Sequence, residues 1–113
     1  MELASFLNDL AFSDEQVLIS PLIDNAFTKE IRIAFKEGQI MKEHKTKFPI
    51  SVMTVIGSIE FTVGEKVVTL NQGDVVSLEG NVMHELVATE KSVVRLSLHK
   101  GDSVARVNSV LKL

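Results

Sequence analysis

The sequence predicts an all-β fold, an antiparallel barrel or two-sheet sandwich, and three observations carry that reading. Short apolar runs follow one another at near-regular spacing from residue 17 to residue 98, which is the pattern of many short strands. Glycines fall between the runs, where turns need them. No stretch between the runs has the length or the 3.6-residue period of a long helix. The composition agrees. Six Phe with no Tyr or Trp leave Val, Ile and Leu to fill the core, and the β-branched members of that set favour strands.

Taken in order, the chain opens with Leu3, Phe6, Leu7 and Leu10 at helical spacing. They predict a short N-terminal amphipathic helix, which so few residues stabilise only against the rest of the protein or a partner. Ser13-Asp14-Glu15 reads as a turn. Residues 17–23 form an apolar strand that Pro21 confines to a sheet edge, since proline lacks a ladder donor. From Glu30 the period becomes two, with Ile31, Ile33 and Phe35 on one face and Arg32 and Ala34 on the other. Lys36-Glu37-Gly38 turns the chain. Further strands are expected at 50–56, 58–63, 66–70, 74–78, 83–88 and 92–98, separated by Gly57, Gly64, Gly73 and Gly80. Val63-Gly64-Glu65-Lys66 has the form of a tight hairpin. The tail, residues 102–113, reads equally as a short capped helix or a last edge strand.

With 113 residues the chain is long enough for one core and too short for two. A net charge of −3 with scattered basic residues argues against a nucleic-acid partner, because phosphate tracking needs clustered Lys and Arg. The densest basic group, Lys42, Lys45 and Lys47, is interrupted by Glu43 and reads as a solvated strand or loop face. The absence of cysteine excludes disulfides, thiolate metal sites and a Cys nucleophile. No basic region precedes an apolar run at the start, and no segment approaches a bilayer span, so a cytoplasmic protein without a membrane partner is expected.

Two segments carry candidate chemistry. The first runs Gly38-Gln39-Ile40-Met41-Lys42-Glu43-His44-Lys45-Thr46 and reaches Gly57; the second runs from Gly73-Asp74 through Glu79-Gly80 to Met83-His84. Together they resemble the paired cupin motifs G-x5-H-x-H-x3/4-E-x6-G and G-x5-P-x-G-x2-H-x3-N. The resemblance covers about residues 31–98. It implies a single cupin domain over residues 1–113, a jelly-roll-like β-barrel with its core at about 30–100 and a functional pocket in the barrel mouth.

The departures bear on function. The motif's second histidine falls on Thr46, its glutamate on Ile50, its proline on Glu79 and its last asparagine on Ala88. Typical metal-binding cupins offer three histidines and a glutamate, a set suited to Fe, Mn, Ni or Zn. Here His44 and His84 remain as metal candidates. Glu79 is the most plausible substitute third ligand, since Glu43 and Glu85 neighbour the histidines in sequence and point away on an ideal strand. The ligand pocket is expected around His44, Thr46, Ile50, Thr54 and His84, with Met41, Met53 and Met83 as core fillers near it. His99 matches no motif and reads as a surface histidine. Arg95, alone in an apolar strand, would anchor an anion if it faced inward and is expected outward.

No G-x-S-x-G elbow, nucleotide-binding glycine loop or H-E-x-x-H pair is present. The leading expectation is a small-molecule-binding module for a largely apolar or carboxylated ligand, without a complete metal site. The alternative is a metal-dependent oxygenase or isomerase with a non-standard third ligand. A symmetric homodimer is expected as well, because the strand at 17–23 and the apolar stripe of the first ten residues both need covering.

Overall fold

The computed structural model describes residues 1–101, and in them nine antiparallel strands form two facing sheets. The strands are β1 (Leu18–Asp24), β2 (Thr28–Phe35), β3 (Ile40–His44), β4 (Ile50–Ile56), β5 (Ser58–Val63), β6 (Lys66–Asn71), β7 (Val75–Leu78), β8 (His84–Ala88) and β9 (Ser92–His99). One sheet has the order β1-β2-β9-β4-β7 and the other β3-β8-β5-β6. The tail at 102–113, expected as a short helix or a last edge strand, lies outside the described residues.

Alternation decides which side chains meet between the sheets. Ile31, Ile33 and Phe35 of β2, Ile50 and Val52 of β4, Ile59 and Phe61 of β5, Leu70 of β6, Leu86 and Ala88 of β8, and Val94 and Leu96 of β9 form one buried cluster. Each is two residues from the next on its strand, as the pleat requires. The β5–β6 hairpin closes through Gly64 and Glu65, with Gly64 at φ +60° and Val63 paired to Lys66.

Two elements differ from the sequence reading. Residues 40–44 form a strand although their polar run Lys42-Glu43-His44 shows no alternation. That strand is at a sheet edge and mostly exposed, so burial leaves little imprint on it. The expected N-terminal helix is absent; residues 6–9 form only bends and a turn. The Ser5 hydroxyl accepts the amides of Leu7 and Asn8, both at 3.2 Å, and Asp9 takes a left-handed φ of 54°. A side-chain cap followed by a left-handed residue ends the turn before a helix can nucleate. The segment instead lies across the outer face of the β1–β7 sheet. Arg32 Nη1 donates to the Asn8 carbonyl at 2.8 Å, Arg95 sits 5.8 Å from the Phe6 ring, and Lys91 caps the Phe12 ring at 4.3 Å. Phe6 and Leu10 are half-buried there, whereas Leu3 and Leu7 are exposed.

Pro21 lies in β1 at the sheet edge, with a register shift between Pro21 and Ile23. Among the described residues no helix is long and apolar enough to cross a membrane.

Candidate functional site

The two motif histidines end in the same place by different routes. His84 opens β8 and shares its inward face with Leu86 and Ala88. His44 closes β3, where it is paired directly with His84, and the register of that pairing shifts between Met41 and His44. On an ideal strand Met41 and His44, three residues apart, would face opposite ways. The irregularity lets Met41 pack on the core while His44 meets His84.

The imidazole centroids are 4.3 Å apart with planes inclined at 60°. Each ring is fixed by its own strand: His44 Nδ1 lies 2.7 Å from the Lys42 carbonyl and His84 Nδ1 2.9 Å from that of Val82. A carbonyl only accepts, so both Nδ1 atoms carry a proton, and His84, when neutral, keeps its lone pair on Nε2. His84 is buried, its ring stacked on Phe61 at 5.7 Å and 19°. Burial pushes its pKa down, the Val82 hydrogen bond pulls it up, and the charge of His44 pushes it down; the net shift is downward. His84 is therefore a neutral hydrogen-bond acceptor at neutral pH.

The loops that end β3 and begin β8 are locked together. Asn81 N donates to the Thr46 carbonyl at 2.6 Å, and a Cβ on Gly80 would stand 2.4 Å from the Lys47 carbonyl oxygen. Asn81, at the position of a motif glycine, adopts φ +63°, which asparagine tolerates better than most residues.

The remaining candidates separate. Thr46 is half-buried in the β3–β4 loop and its hydroxyl donates to the Phe48 carbonyl at 2.9 Å. Ile50 is buried at the start of β4 within the core cluster. Thr54, four residues further along β4 and thus about 13 Å away, is fully buried with its hydroxyl donating to the Leu70 carbonyl. Glu79 is exposed in the β7–β8 turn. Met53 faces outward rather than filling the core, in a groove with Arg95 and His99.

The apolar cavity near the histidines is lined by residues the sequence reading did not nominate. A cleft of about 260 Å³ is bounded by Phe61, Val63, Lys66 and Val68 of β5 and β6 and by Val76 and Leu78 of β7. It opens where β6 and β7, the edge strands of the two sheets, diverge. The signal was present in the alternation of 61, 63, 68, 76 and 78, which are spaced as inward positions of three successive strands. Phe61 joins the two features, since its ring lines the cleft and stacks on His84.

Among the described residues no three His, Cys, Asp or Glu side chains gather closely enough to hold a metal ion. Two imidazoles fit neither the three protein ligands of catalytic zinc nor the two-His-one-carboxylate set of non-haem iron. The donor set described here does not fit the metal that cupin motifs usually hold.

Solved structures give this architecture its place. A cupin from Desulfovibrio desulfuricans described as RmlC-like superposes with a TM-score of 0.81 over 88% of this chain and 96% of that one, at 20% identity. A cupin from Methanocaldococcus jannaschii with a double-stranded β-helix fold gives 0.71 over 88% and 90%, at 14% identity. This chain has the cupin fold. KdgF from Halomonas sp. is similar in the same sense, with a TM-score of 0.70, 20% identity and coverage of 88% and 97%. By sequence the chain matches no protein-family profile and no curated protein. What this chain shares with these structures is therefore its frame, and its site must be read from its own residues.

Proposed function

We propose that this cupin is a small-molecule-binding module whose ligand enters the cleft between β5–β6 and β7 and lies against Phe61, the ring that stacks on His84. The observation that carries this is the double role of Phe61, which lines the cleft and stacks on a buried, neutral imidazole. An apolar wall with few polar anchors is the usual form of a small-molecule site. The Nε2 lone pair of neutral His84 selects a ligand that donates a hydrogen bond, such as a small aromatic or aliphatic alcohol.

The test is a titration of the labelled chain with phenol, followed by the amide and imidazole resonances of Phe61 and His84. Both residues are expected to shift. Val76→Phe, which fills the cleft from β7, is expected to abolish the response, and His84→Phe to weaken it about tenfold, the loss of one hydrogen bond of ~1.4 kcal/mol. Undiminished phenol binding by Val76→Phe would place the ligand elsewhere.

The second part of the proposal is a homodimer. Its support is the gap between edge strands β1 and β3, a groove of about 460 Å³ with Ile19 and Ile40 half-exposed on its walls. Two sheet edges carrying exposed isoleucines favour a second chain as cover.

A further inference from the structure

Outside the barrel, the face of the larger sheet holds a polar cluster that the site above does not use. Glu30 is only 8% exposed although it lies on the outward face of β2. Arg95 Nε donates to its Oε1 at 2.6 Å, the Ser97 hydroxyl donates to the same oxygen at 2.9 Å, and the Thr28 hydroxyl donates to Oε2 at 3.2 Å. Burial pushes the Glu30 carboxyl up, but these three donors and the charge of Arg95 outweigh it and hold it below its ordinary value. The carboxylate is thus permanently charged near neutral pH and spends that charge on one face of one guanidinium.

The pairing uses Nε alone. Phe6 packs by the guanidinium at 5.8 Å, while the η N–H groups of Arg95 have no hydrogen-bond partner among the described residues. They border a groove of about 220 Å³ whose other walls are Ser51, Met53, Val75, Ser97 and His99. Ser51 Oγ lies 3.1 Å from His99 Nε2, which fixes those two side chains at the groove's end. An arginine held rigid from behind, with its forked end free beside two hydroxyls and an imidazole, is the arrangement that recognises a planar oxyanion by two parallel hydrogen bonds. The size and the wall narrow the class. The volume lies below the usual range for drug-sized ligands, and Met53 and Val75 present apolar surface that a bare phosphate would leave unused.

We propose that this groove is a second ligand site, taking a small carboxylate with a short aliphatic body, its carboxyl group on Arg95 and its chain against Met53 and Val75. The proposal is independent of the barrel-interior site and would stand if that one failed.

The test is a titration of the full labelled chain with acetate, butyrate and inorganic phosphate, followed by backbone amide resonances. Butyrate is expected to shift Ser51, Met53, Arg95 and Ser97 while leaving Phe61 and His84 in place. It should bind more tightly than acetate, about fourfold for each methylene that Met53 and Val75 cover. Phosphate binding more tightly than butyrate would overturn the carboxylate class. Shifts confined to Phe61 and His84, or no shifts, would overturn the site. R95Q alone leaves Glu30 buried without its counter-ion and so perturbs folding as well; the double variant E30Q/R95Q removes both charges. A folded double variant should lose butyrate binding at least tenfold, and unchanged binding would contradict the proposal.

Discussion

Among the described residues, His84 and Glu30 are the two buried groups whose ionisation shifts in the fold, and both push stability in the same direction. The His84 pKa is depressed in the folded chain, so the unfolded chain binds the extra proton first. Its contribution is full above the ordinary histidine value of ~6.5 and falls as pH drops through the folded value. The Glu30 pKa is also depressed, and its contribution fades only at lower pH, below the ordinary glutamate range. Chemical denaturation from neutral pH down to about pH 2 should therefore show two successive losses, the first from His84 and the second, below the ordinary glutamate range, from Glu30. His84→Phe is expected to remove the first and leave the second; an unchanged profile would mean that His84 does not titrate with folding. At this scale the sequence was partly legible. The motif spacing selected His44 and His84, which meet ring to ring. It did not reveal Glu30, because a carboxylate on the outward face of a strand reads as solvated until the N-terminal segment is seen crossing that face. Arg95 faces outward, as its isolation in an apolar strand implied, but it is paired with Glu30 and not simply solvated.

Among the elements, strands with an apolar alternation were legible, the mostly exposed β6 and β7 included, and the polar edge strand β3 was not. β4 and β5 fall on the expected residues because alternation marks them, whereas β3 was hidden by its polar run and its edge position. The first ten residues show the opposite failure. Their apolar spacing suggests a helix, yet Ser5 and Arg32 take the local hydrogen-bonding groups that a helix would use. Two loops are fixed by glycines for different reasons. Gly57 combines φ +93° with a close approach to Ser92, whose hydroxyl oxygen would be 2.1 Å from an added Cβ. Gly57→Ala should cost about 1–3 kcal/mol from overpacking and roughly 1 kcal/mol more from the left-handed backbone. Gly80 has ordinary space demands except against the Lys47 carbonyl. Gly80→Ala should separate the β3–β4 and β7–β8 loops, cost about 1–3 kcal/mol and shift the His44 and His84 resonances. Denaturant melts with imidazole spectra check both, and a Gly80→Ala variant with unmoved histidine signals would refute the loop's role in aligning the pair.

For the molecule as a whole, the N-terminal segment is already docked on its own barrel, so the proposed second copy would dock on the exposed seam between β1 and β3. Sedimentation at micromolar concentration should give twice the 12.5 kDa of one chain. Deleting residues 1–10 should leave that mass unchanged while lowering the melting temperature, because Arg32 and Arg95 lose their cover. A mass of one chain would remove the dimer, and dissociation on deletion would move the interface to the N-terminal segment. The barrel frame was legible because glycine-punctuated alternation dictates it. The cleft was not, because a family motif marks where metals are usually held and not where this chain leaves space between its edge strands. The proposed ligand site combines the His44–His84 pair with an apolar cleft and needs no resident metal. Elemental analysis of protein purified without an affinity tag and washed with chelator tests this most directly. The account predicts well under one equivalent of iron, manganese, nickel or zinc per chain; a stoichiometric metal surviving the wash would contradict it.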